Sequence, residues 1–166
     1  HTTEAWWNQD LDSIETYLSN HPVNTFWKEI GRTIDRLPTI SGYTTTKDCV
    51  AQDYPFIQAI KSMLGFCDQV VVVDGGSTDG TWEVLKELSS EDERIIIEQN
   101  IRDWNHPRFA IFDGLQKAYA RSLCTGEWCW QMDSDEIVHE EDYEKIKYLI
   151  KQMPKTMHLL ALPVIE

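Results

Sequence analysis

Basic residues are scarce in this chain of 166 residues: 15 Lys and Arg stand against 28 Asp and Glu, and the formal net charge is −13. A protein that binds the phosphate backbone of a nucleic acid needs a basic face. The composition therefore argues against nucleic acid as the ligand. Any other anionic ligand would need a bound cation or a helix N-terminus at its site, because the overall field of the protein repels it.

Long apolar runs and paired cysteines are also missing. No stretch approaches the roughly 20 apolar residues of a membrane-spanning helix, and the N-terminal residues lack a signal-peptide pattern. We therefore expect no membrane segment and a cytoplasmic location. Cys49, Cys67, Cys124 and Cys129 form no CxxC pair and have no histidine at zinc-finger spacing. They are interpreted as reduced structural thiols, with a Cys124–Cys129 disulfide as the alternative.

The glycine-rich segment GGSTDGT (75–81) matches neither the P-loop nor GxGxxG. It follows QVVVVD (69–74), a continuous apolar run that is typical of a strand buried on both faces of a parallel sheet. Gly75 and Gly76 let the backbone turn sharply and approach a ligand closely. Asp74 could accept hydrogen bonds from a base N–H or a ribose hydroxyl. The alternative is a simple strand-to-helix turn in which Asp74 or Ser77 is a local cap.

The order of the predicted elements indicates an α/β fold. Residues 1–37 show helical apolar spacing and form a predicted N-terminal helical segment, which would pack on the following domain or on a partner domain. Residues 38–166 form the second predicted domain, in which helices alternate with strands at 40–46, 69–74, 94–99, 127–133 and 158–166. This alternation implies an open, mostly parallel, Rossmann-like sheet with helices on both faces. Ligands then bind beyond the carboxyl ends of the strands.

Two local details follow from the same spacing. Thr78 or Asp79 is expected to cap the helix that follows the glycine-rich turn. The helix after the loop NIRDWNHP (100–107) is expected to bury Phe109, Phe112, Leu115 and Tyr119.

The segment CWQMDSDEIVHEED (129–142) carries two acidic clusters. Asp133, Asp135 and Glu136 follow an apolar, aromatic strand and repel one another unless a cation lies among them. Carboxylates two residues apart on a departing strand point to one side and suit Mg²⁺ or Mn²⁺. Such an ion would bring a diphosphate to an acidic protein. The alternative, an acidic helix start, accounts for residues 140–142 but not for Asp133.

Basic side chains gather in the segment NIRDWNHPRF (100–109). Arg102, His106 and Arg108 lie around Trp104 in a loop at the predicted ligand edge, where they could reach a phosphate or a base. His106 is interpreted as a loop residue rather than as a catalyst. His139 is interpreted as a neighbour at a helix start, with a ligand near the metal as the alternative.

Together, VVVDGGSTDGT and the DxD motif of Asp133-Ser134-Asp135 resemble the family 2 glycosyltransferases, nucleotide-sugar enzymes of the GT-A fold. The resemblance covers residues 38–166. It implies that Asp135 and Asp133 bind Mn²⁺ or Mg²⁺, with Asp133 contacting ribose or metal. It further implies a set of nucleotide-binding residues: Thr45, Thr46, Lys47, Asp74, Gly75, Gly76, Arg102, Asp133 and Ser134.

The chain departs from the family pattern in two respects. The second Asp of the family's DDGS is Gly75 here, so one base contact is missing or is supplied by Arg102. The chain ends soon after the DxD motif, so we expect the acceptor half, with the catalytic base, to lie outside it. Glu136 and Glu140 are the candidates for a base inside the chain.

The resemblance implies an inverting transfer of a sugar from a nucleotide-diphosphate donor to a hydroxyl of a glycan or another acceptor, as in polysaccharide biosynthesis. One alternative is a sugar-phosphate nucleotidyltransferase, although the expected glycine-rich basic loop after the first strand is replaced by TTTKDCVAQDYP (44–55), which has no glycine. The other is a non-catalytic nucleotide-binding or interaction module, which the missing base leaves open.

Overall fold

The computed structural model describes residues 37–105, 109–154 and 156–162. Within them, helices and parallel strands alternate along the chain. The elements are β1 (Ile40–Thr46), α1 (Phe56–Leu64), β2 (Gln69–Asp74), α2 (Thr81–Glu91), β3 (Ile95–Gln99), α3 (Phe109–Ser122), β4 (Trp128–Gln131), a 3₁₀ turn (Glu140–Asp142) and α4 (Tyr143–Gln152). The first four predicted strands are confirmed, with β4 shorter than predicted.

The chain divides into two compact units, one of residues 1–37 with Gln152–Glu166 and one of Pro38–Lys151. All four strands belong to the second unit. The predicted helical segment lies almost wholly in residues 1–36, outside the described part of the chain. Its helices and its partner domain therefore stay predictions.

The sheet has the strand order β3-β2-β1-β4, and every neighbouring pair is parallel. The chain builds outward from β1 to β3 and then crosses to the opposite side of β1 to form β4. The strand order therefore reverses between β1 and β4. In open α/β sheets, ligands bind in the crevice that such a reversal opens beyond the carboxyl ends of the strands.

Both faces of the sheet are covered, as the valine run of β2 predicts. Val70 and Val72 belong to a core that includes residues of α1, α2 and α4. Val71 and Val73 face the other way, into a smaller core that includes Ala120 of α3. All four valines are fully buried. The predicted open parallel sheet with helices on both faces is confirmed.

The inward face of α3 differs from the prediction. Leu115 is 46% exposed and Tyr119 is 37% exposed, whereas Gln116 and Ala120 are fully buried. The small Ala120 lets the helix approach the sheet, and the Gln116 amide is satisfied because its Nε2 donates to the Asn100 carbonyl at 3.1 Å. The buried face of α3 therefore includes a polar side chain, which is tolerated because it has a hydrogen-bond partner, whereas the apolar spacing alone predicted a different face.

The predicted fifth strand is wrong for the residues that the structure describes. Residues 158–162 adopt no strand conformation, and Leu159 is 82% exposed. A strand requires a hydrogen-bonded neighbour, and no strand of the sheet pairs with this segment. Residues 163–166 lie outside the described part.

Two predicted absences can be compared with the described residues. None of their helices is long and apolar enough to cross a membrane; the cytoplasmic location stays a prediction. All four cysteines are free, so the alternative Cys124–Cys129 disulfide is absent. Burial raises the pKa of the Cys67 thiol to about 12, as expected for a structural thiol.

Thr44 provides a stability test of the core. Its hydroxyl is buried and has no hydrogen-bond partner among the described residues. We expect Thr44→Val to raise the free energy of unfolding by about 1 kcal/mol, because a buried unsatisfied hydroxyl is removed without a change of shape. Urea denaturation measures this change.

The matched control is Thr46→Val on the same strand. Thr46 Oγ1 donates to Asp74 at 3.1 Å, so the same substitution there should lower the free energy of unfolding by about 1 kcal/mol. A loss of stability in Thr44→Val would contradict the assignment.

Candidate functional site

The carboxyl ends of β1, β2 and β4 place the predicted site residues at one edge of the sheet. Thr46 at the end of β1 pairs in register with Asp74 at the end of β2. On the other side of β1, Tyr43 pairs with Gln131, so the chain that leaves β4 reaches the DxD motif at the same edge. The sequence-predicted groups after these three strands are therefore neighbours in space.

Asp74 is the most highly connected side chain of this edge. It is fully buried, and its two oxygens accept five hydrogen bonds: from Thr46 Oγ1 (3.1 Å), Gly76 N (2.9 Å), Ser77 N (2.8 Å), Ser77 Oγ (2.5 Å) and Gln99 Nε2 (3.2 Å). A carboxylate offers about four lone-pair positions. The network therefore uses the acceptor capacity of Asp74 to shape the turn, and its contact with a nucleoside stays a prediction.

The loop after β1 is cross-linked to the glycine-rich turn. Lys47 forms an ion pair with Asp48, and its ammonium group also donates to the Gly76 carbonyl at 3.2 Å. The Asp48 backbone N–H donates to Ser77 Oγ at 2.8 Å, while Asp48 Oδ1 accepts from the Thr78 N–H at 2.9 Å. The two loops therefore form one hydrogen-bonded unit, and Lys47 is a half-buried cation within it.

The helix that follows the turn begins differently from the prediction. The N-cap of α2 is Gly80, with a positive φ of 99°, and it makes no side-chain cap. Asp79 supplies the acceptor from one residue earlier, since its Oδ1 accepts from Thr81 N at 3.0 Å and Thr81 Oγ1 at 2.7 Å. Burial opposes ionisation of Asp79, but the hydrogen bonds from Thr81 and Ala51 outweigh it and lower the pKa of Asp79.

Trp104 is a residue of the site to which the sequence assigned no role. Its indole Nε1 donates to the Gly75 carbonyl at 2.8 Å. A Cβ atom at position 75 would lie only 2.6 Å from Cζ2 of that ring. Trp104 thus requires glycine where the family pattern has an aspartate. In the sequence, Trp104 stands out only as a tryptophan in a polar loop, and this feature does not predict a contact with Gly75.

Arg102 lies beside α3. Its Nε donates to Gln116 Oε1 over a long 3.4 Å, and its side chain is half-buried. Its proposed role as the replacement base contact stays a prediction. The other basic candidates of this loop, His106 and Arg108, lie outside the described residues.

The three side chains of the DxD motif differ in their contacts. Asp133 Oδ1 lies 2.7 Å from Lys117 Nζ, on the side of α3. Ser134 Oγ accepts a weak hydrogen bond from the Cys49 thiol at 3.8 Å. Asp135 is exposed, and among the described residues its carboxylate has no hydrogen-bond or ion-pair partner. Asp135 is therefore the carboxylate of the motif that is open to a ligand.

Lys117 is the second residue that the sequence did not indicate. It also lies 3.4 Å from Asp113 Oδ2, one helical turn earlier on α3. Burial alone would lower the pKa of Lys117, but the hydrogen bond and charge of Asp133, with a smaller effect of Asp113, raise it. The ammonium group thus stays charged between two carboxylates.

Of the two glutamates proposed as candidate bases, Glu136 closes a turn and Glu140 is exposed to solvent. Glu136 Oε2 accepts the Asp133 backbone N–H at 2.9 Å, which closes the turn after β4. Glu140 is exposed in the 3₁₀ turn. His139 Nδ1 accepts from the Glu141 N–H at 3.2 Å, a local cap. No described contact orients Glu136 as a base, and its candidacy stays a prediction.

The carboxylates of the DxD motif suit a metal ion that is held partly by the protein and partly by the phosphates of a substrate. The described residues contain no group of three or more His, Cys, Asp or Glu side chains that could hold a metal. Asp135 is open, and Asp133 has one oxygen paired with Lys117. Mg²⁺ commonly takes only one or two carboxylates and completes its shell with water and phosphates. The geometry suits that kind of site better than an all-protein cage.

Comparison with known proteins decides the family. The family model described as "Glycosyl transferase family 2" matches residues 55–165. This chain belongs to the family 2 glycosyltransferases. The family predicted from the glycine-rich turn and the DxD motif is thereby confirmed.

Two curated relatives support the family 2 assignment. Uncharacterised glycosyltransferases of Rickettsia felis and Rickettsia prowazekii are each 31% identical over 110 residues, which cover 66% of this chain. These residues make up 33% and 32% of the relatives, so the chain spans about a third of their length.

A solved structure shares the fold. S. aureus TarS superimposes with a TM-score of 0.53 at 20% identity, covering 68% of this chain and 19% of TarS. At this identity the similarity shows the GT-A fold alone.

The contact between Gly75 and Trp104 yields a stability test. We expect Gly75→Ala to lower the free energy of unfolding by about 1–3 kcal/mol, because the added methyl group overlaps the indole ring. Chemical denaturation measures the change, and Trp104→Ala introduced into the same chain should relieve most of it.

The matched control is Gly114→Ala in the interior of α3. A Cβ atom there meets nothing within 4 Å, so alanine should stabilise the helix by about 0.5–1 kcal/mol. Equal effects of the two alanine substitutions would contradict the steric account.

Proposed function

We propose that this chain binds the donor of an inverting glycosyltransferase, a nucleotide-diphosphate sugar, together with Mn²⁺ or Mg²⁺. The observation that carries the proposal is the reversal of strand order between β1 and β4, with the glycine-rich turn and the DxD motif at the same sheet edge. Membership of family 2 supports it. TarS residues 1–349, which superimpose with a TM-score of 0.52, were solved in complex with UDP.

In this proposal the nucleoside lies against the cross-linked loops after β1 and β2. Thr45, Thr46 and Lys47 line one side, and the backbone of Gly75 and Gly76 lines the other. Asp74 acts mainly by holding this turn in shape through its five hydrogen bonds. Arg102 and the indole of Trp104 lie nearby, where they can contact the base.

The diphosphate lies at the DxD motif. Asp135 binds the divalent ion, and Asp133 contacts the ribose or the ion through the oxygen that does not face Lys117. When bound, the metal offsets the negative charge that builds on the departing diphosphate. The chain's own cations near this edge, Lys47 and Lys117, bring further positive charge to a strongly acidic protein.

The acceptor side of the reaction depends on residues beyond those described. The base that deprotonates the acceptor hydroxyl is expected outside this chain, because Glu136 already closes the turn after β4. The acceptor is a glycan or another hydroxyl compound, as in polysaccharide biosynthesis. By itself the chain would bind donor and transfer sugar slowly or not at all.

A non-catalytic nucleotide-binding module is the second candidate. The engagement of Glu136 in a cap favours it. A sugar-phosphate nucleotidyltransferase is less well supported, since the loop after β1 has no glycine and its Lys47 pairs with Asp48. Incubation with a nucleoside triphosphate and a sugar 1-phosphate would release pyrophosphate only in that case.

Calorimetry with UDP, GDP and dTDP tests the proposal. At least one nucleotide diphosphate should bind in the presence of Mn²⁺, and chelation of the metal should weaken that binding. Affinity that is the same with and without metal, or no binding of any of the three, would refute the assignment.

Asp135→Asn separates metal binding from folding. Asparagine keeps the shape of the side chain but removes the charge, so the Mn²⁺-dependent part of nucleotide binding should disappear while the thermal unfolding midpoint stays within a few degrees. Calorimetry and circular dichroism measure the two properties.

Glu141→Gln is the matched control for Asp135→Asn. Glu141 is an exposed member of the acidic 3₁₀ turn, and its loss of charge should leave nucleotide binding unchanged. Equal loss of binding in the two variants would show a general effect of negative charge instead of a metal ligand.

A further inference from the structure

We propose that Lys117 is a built-in cation of the donor site: it positions Asp133 and takes over part of the charge compensation that the metal supplies to the diphosphate. This inference rests on the proposed function and assigns a role to a residue outside the DxD motif. Its consequence is that nucleotide binding by this chain depends less on the divalent ion than it would with two free DxD carboxylates.

The contacts of Lys117 carry the proposal. Its Nζ lies 2.7 Å from Asp133 Oδ1 and 3.4 Å from Asp113 Oδ2. The Lys117 side chain is 23% exposed and that of Asp133 is 50% exposed. A charge-assisted hydrogen bond of this length is among the stronger polar contacts in proteins, and partial burial protects it from screening by salt.

Both ends of this ion pair are held in place. Next to Lys117, Gln116 is fully buried and its amide donates to the Asn100 carbonyl at 3.1 Å. The backbone N–H of Asp133 is fixed by Glu136 at 2.9 Å. These contacts hold the chain next to Lys117 and at Asp133, and the Lys117 ammonium is itself held by Asp133 and Asp113.

Lys117 differs from the other cations near the sheet edge. Lys47 pairs with Asp48 and donates to the Gly76 carbonyl, and Arg102 donates to Gln116, so the described contacts of these two residues do not include the DxD motif. Within the described ranges, Lys117 is the cation that contacts a carboxylate of the DxD motif. Lys117 belongs neither to the DxD motif nor to the glycine-rich turn, so neither motif indicates a role for it.

The chemistry of the pair gives two linked consequences. An ammonium group at Asp133 Oδ1 opposes a divalent ion at the same oxygen, so the protein alone binds the ion mainly through Asp135. The same ammonium attracts a diphosphate when the ion is absent. Removal of its charge should therefore strengthen metal binding to the bare protein and weaken metal-free binding of the nucleotide.

The test uses Lys117→Met, Lys117→Arg and a matched control, Lys145→Met. Lys145 forms an ion pair of the same length, 2.7 Å, with Asp142 on an exposed surface of α4. Binding of Mn²⁺ alone is measured by titration of the free ion's electron paramagnetic resonance signal. Binding of UDP and GDP is measured by calorimetry in chelator and in Mn²⁺, after circular dichroism has shown that each variant is folded.

Lys117→Met should bind Mn²⁺ roughly three- to tenfold more tightly than the unsubstituted chain, the range expected when a half-exposed ion pair is removed. The ratio of the nucleotide Kd in chelator to the Kd in Mn²⁺ should increase by a similar factor. Lys117→Arg, which keeps the charge, and Lys145→Met should leave both quantities within twofold. A purely structural role of Lys117 would lower stability without changing this ratio.

The outcomes separate this inference from the proposed function. Nucleotide binding with an unchanged ratio and unchanged Mn²⁺ affinity in Lys117→Met overturns the role of Lys117 alone. A change of the same size in Lys145→Met also overturns it, because the effect would then be one of net charge. Failure of the unsubstituted chain to bind any nucleotide diphosphate overturns the proposed function, and the role of Lys117 in that site with it.

Discussion

The buried carboxylate of Asp74 is the interaction on which the candidate site depends. An ionised carboxylate without partners could not remain in the interior, and here five donors from β1, from the glycine-rich turn and from β3 surround it. These donors join three neighbouring strands at their carboxyl ends. The same contacts fix the backbone of Gly76 and Ser77. The Asp74 carboxylate therefore organises this edge of the sheet by binding groups of the protein itself, and its hydrogen bonds are used for the shape of the turn.

The strand order decides which loops share that edge. Because β4 is added on the opposite side of β1 from β2, the DxD motif and the glycine-rich turn flank the end of the same central strand. One side then offers backbone groups and Lys47, and the other offers Asp135 with Lys117 beside Asp133. Such a division suits a ligand with an uncharged ring at one end and a diphosphate at the other. In the proposed function, these cations and the divalent ion would offset part of the repulsion between an anionic donor and a chain with a net charge of −13.

The sequence predicted the parts of this structure that local patterns determine. A run of four valines indicates a strand buried on both faces wherever it occurs, and strand–turn–helix repeats allow few sheet topologies. The contacts that it did not predict join distant segments. Gln116 replaces an apolar residue in the interface of α3 because a carbonyl in another loop accepts its amide. Trp104 and Gly75 contact each other across 29 positions of the chain, and Lys117 contacts Asp133 from a different element, so no local spacing in the sequence indicates either pair.

The central claim is that one nucleotide diphosphate and one divalent ion share the edge between β1 and β4. A crystal structure of the chain grown with Mn²⁺ and UDP or GDP tests it most directly. The account predicts the ion on Asp135 and on the phosphates, and the base against the loops that follow β1 and β2. A nucleotide bound elsewhere on the chain, or an ion bound away from Asp135, would contradict the account.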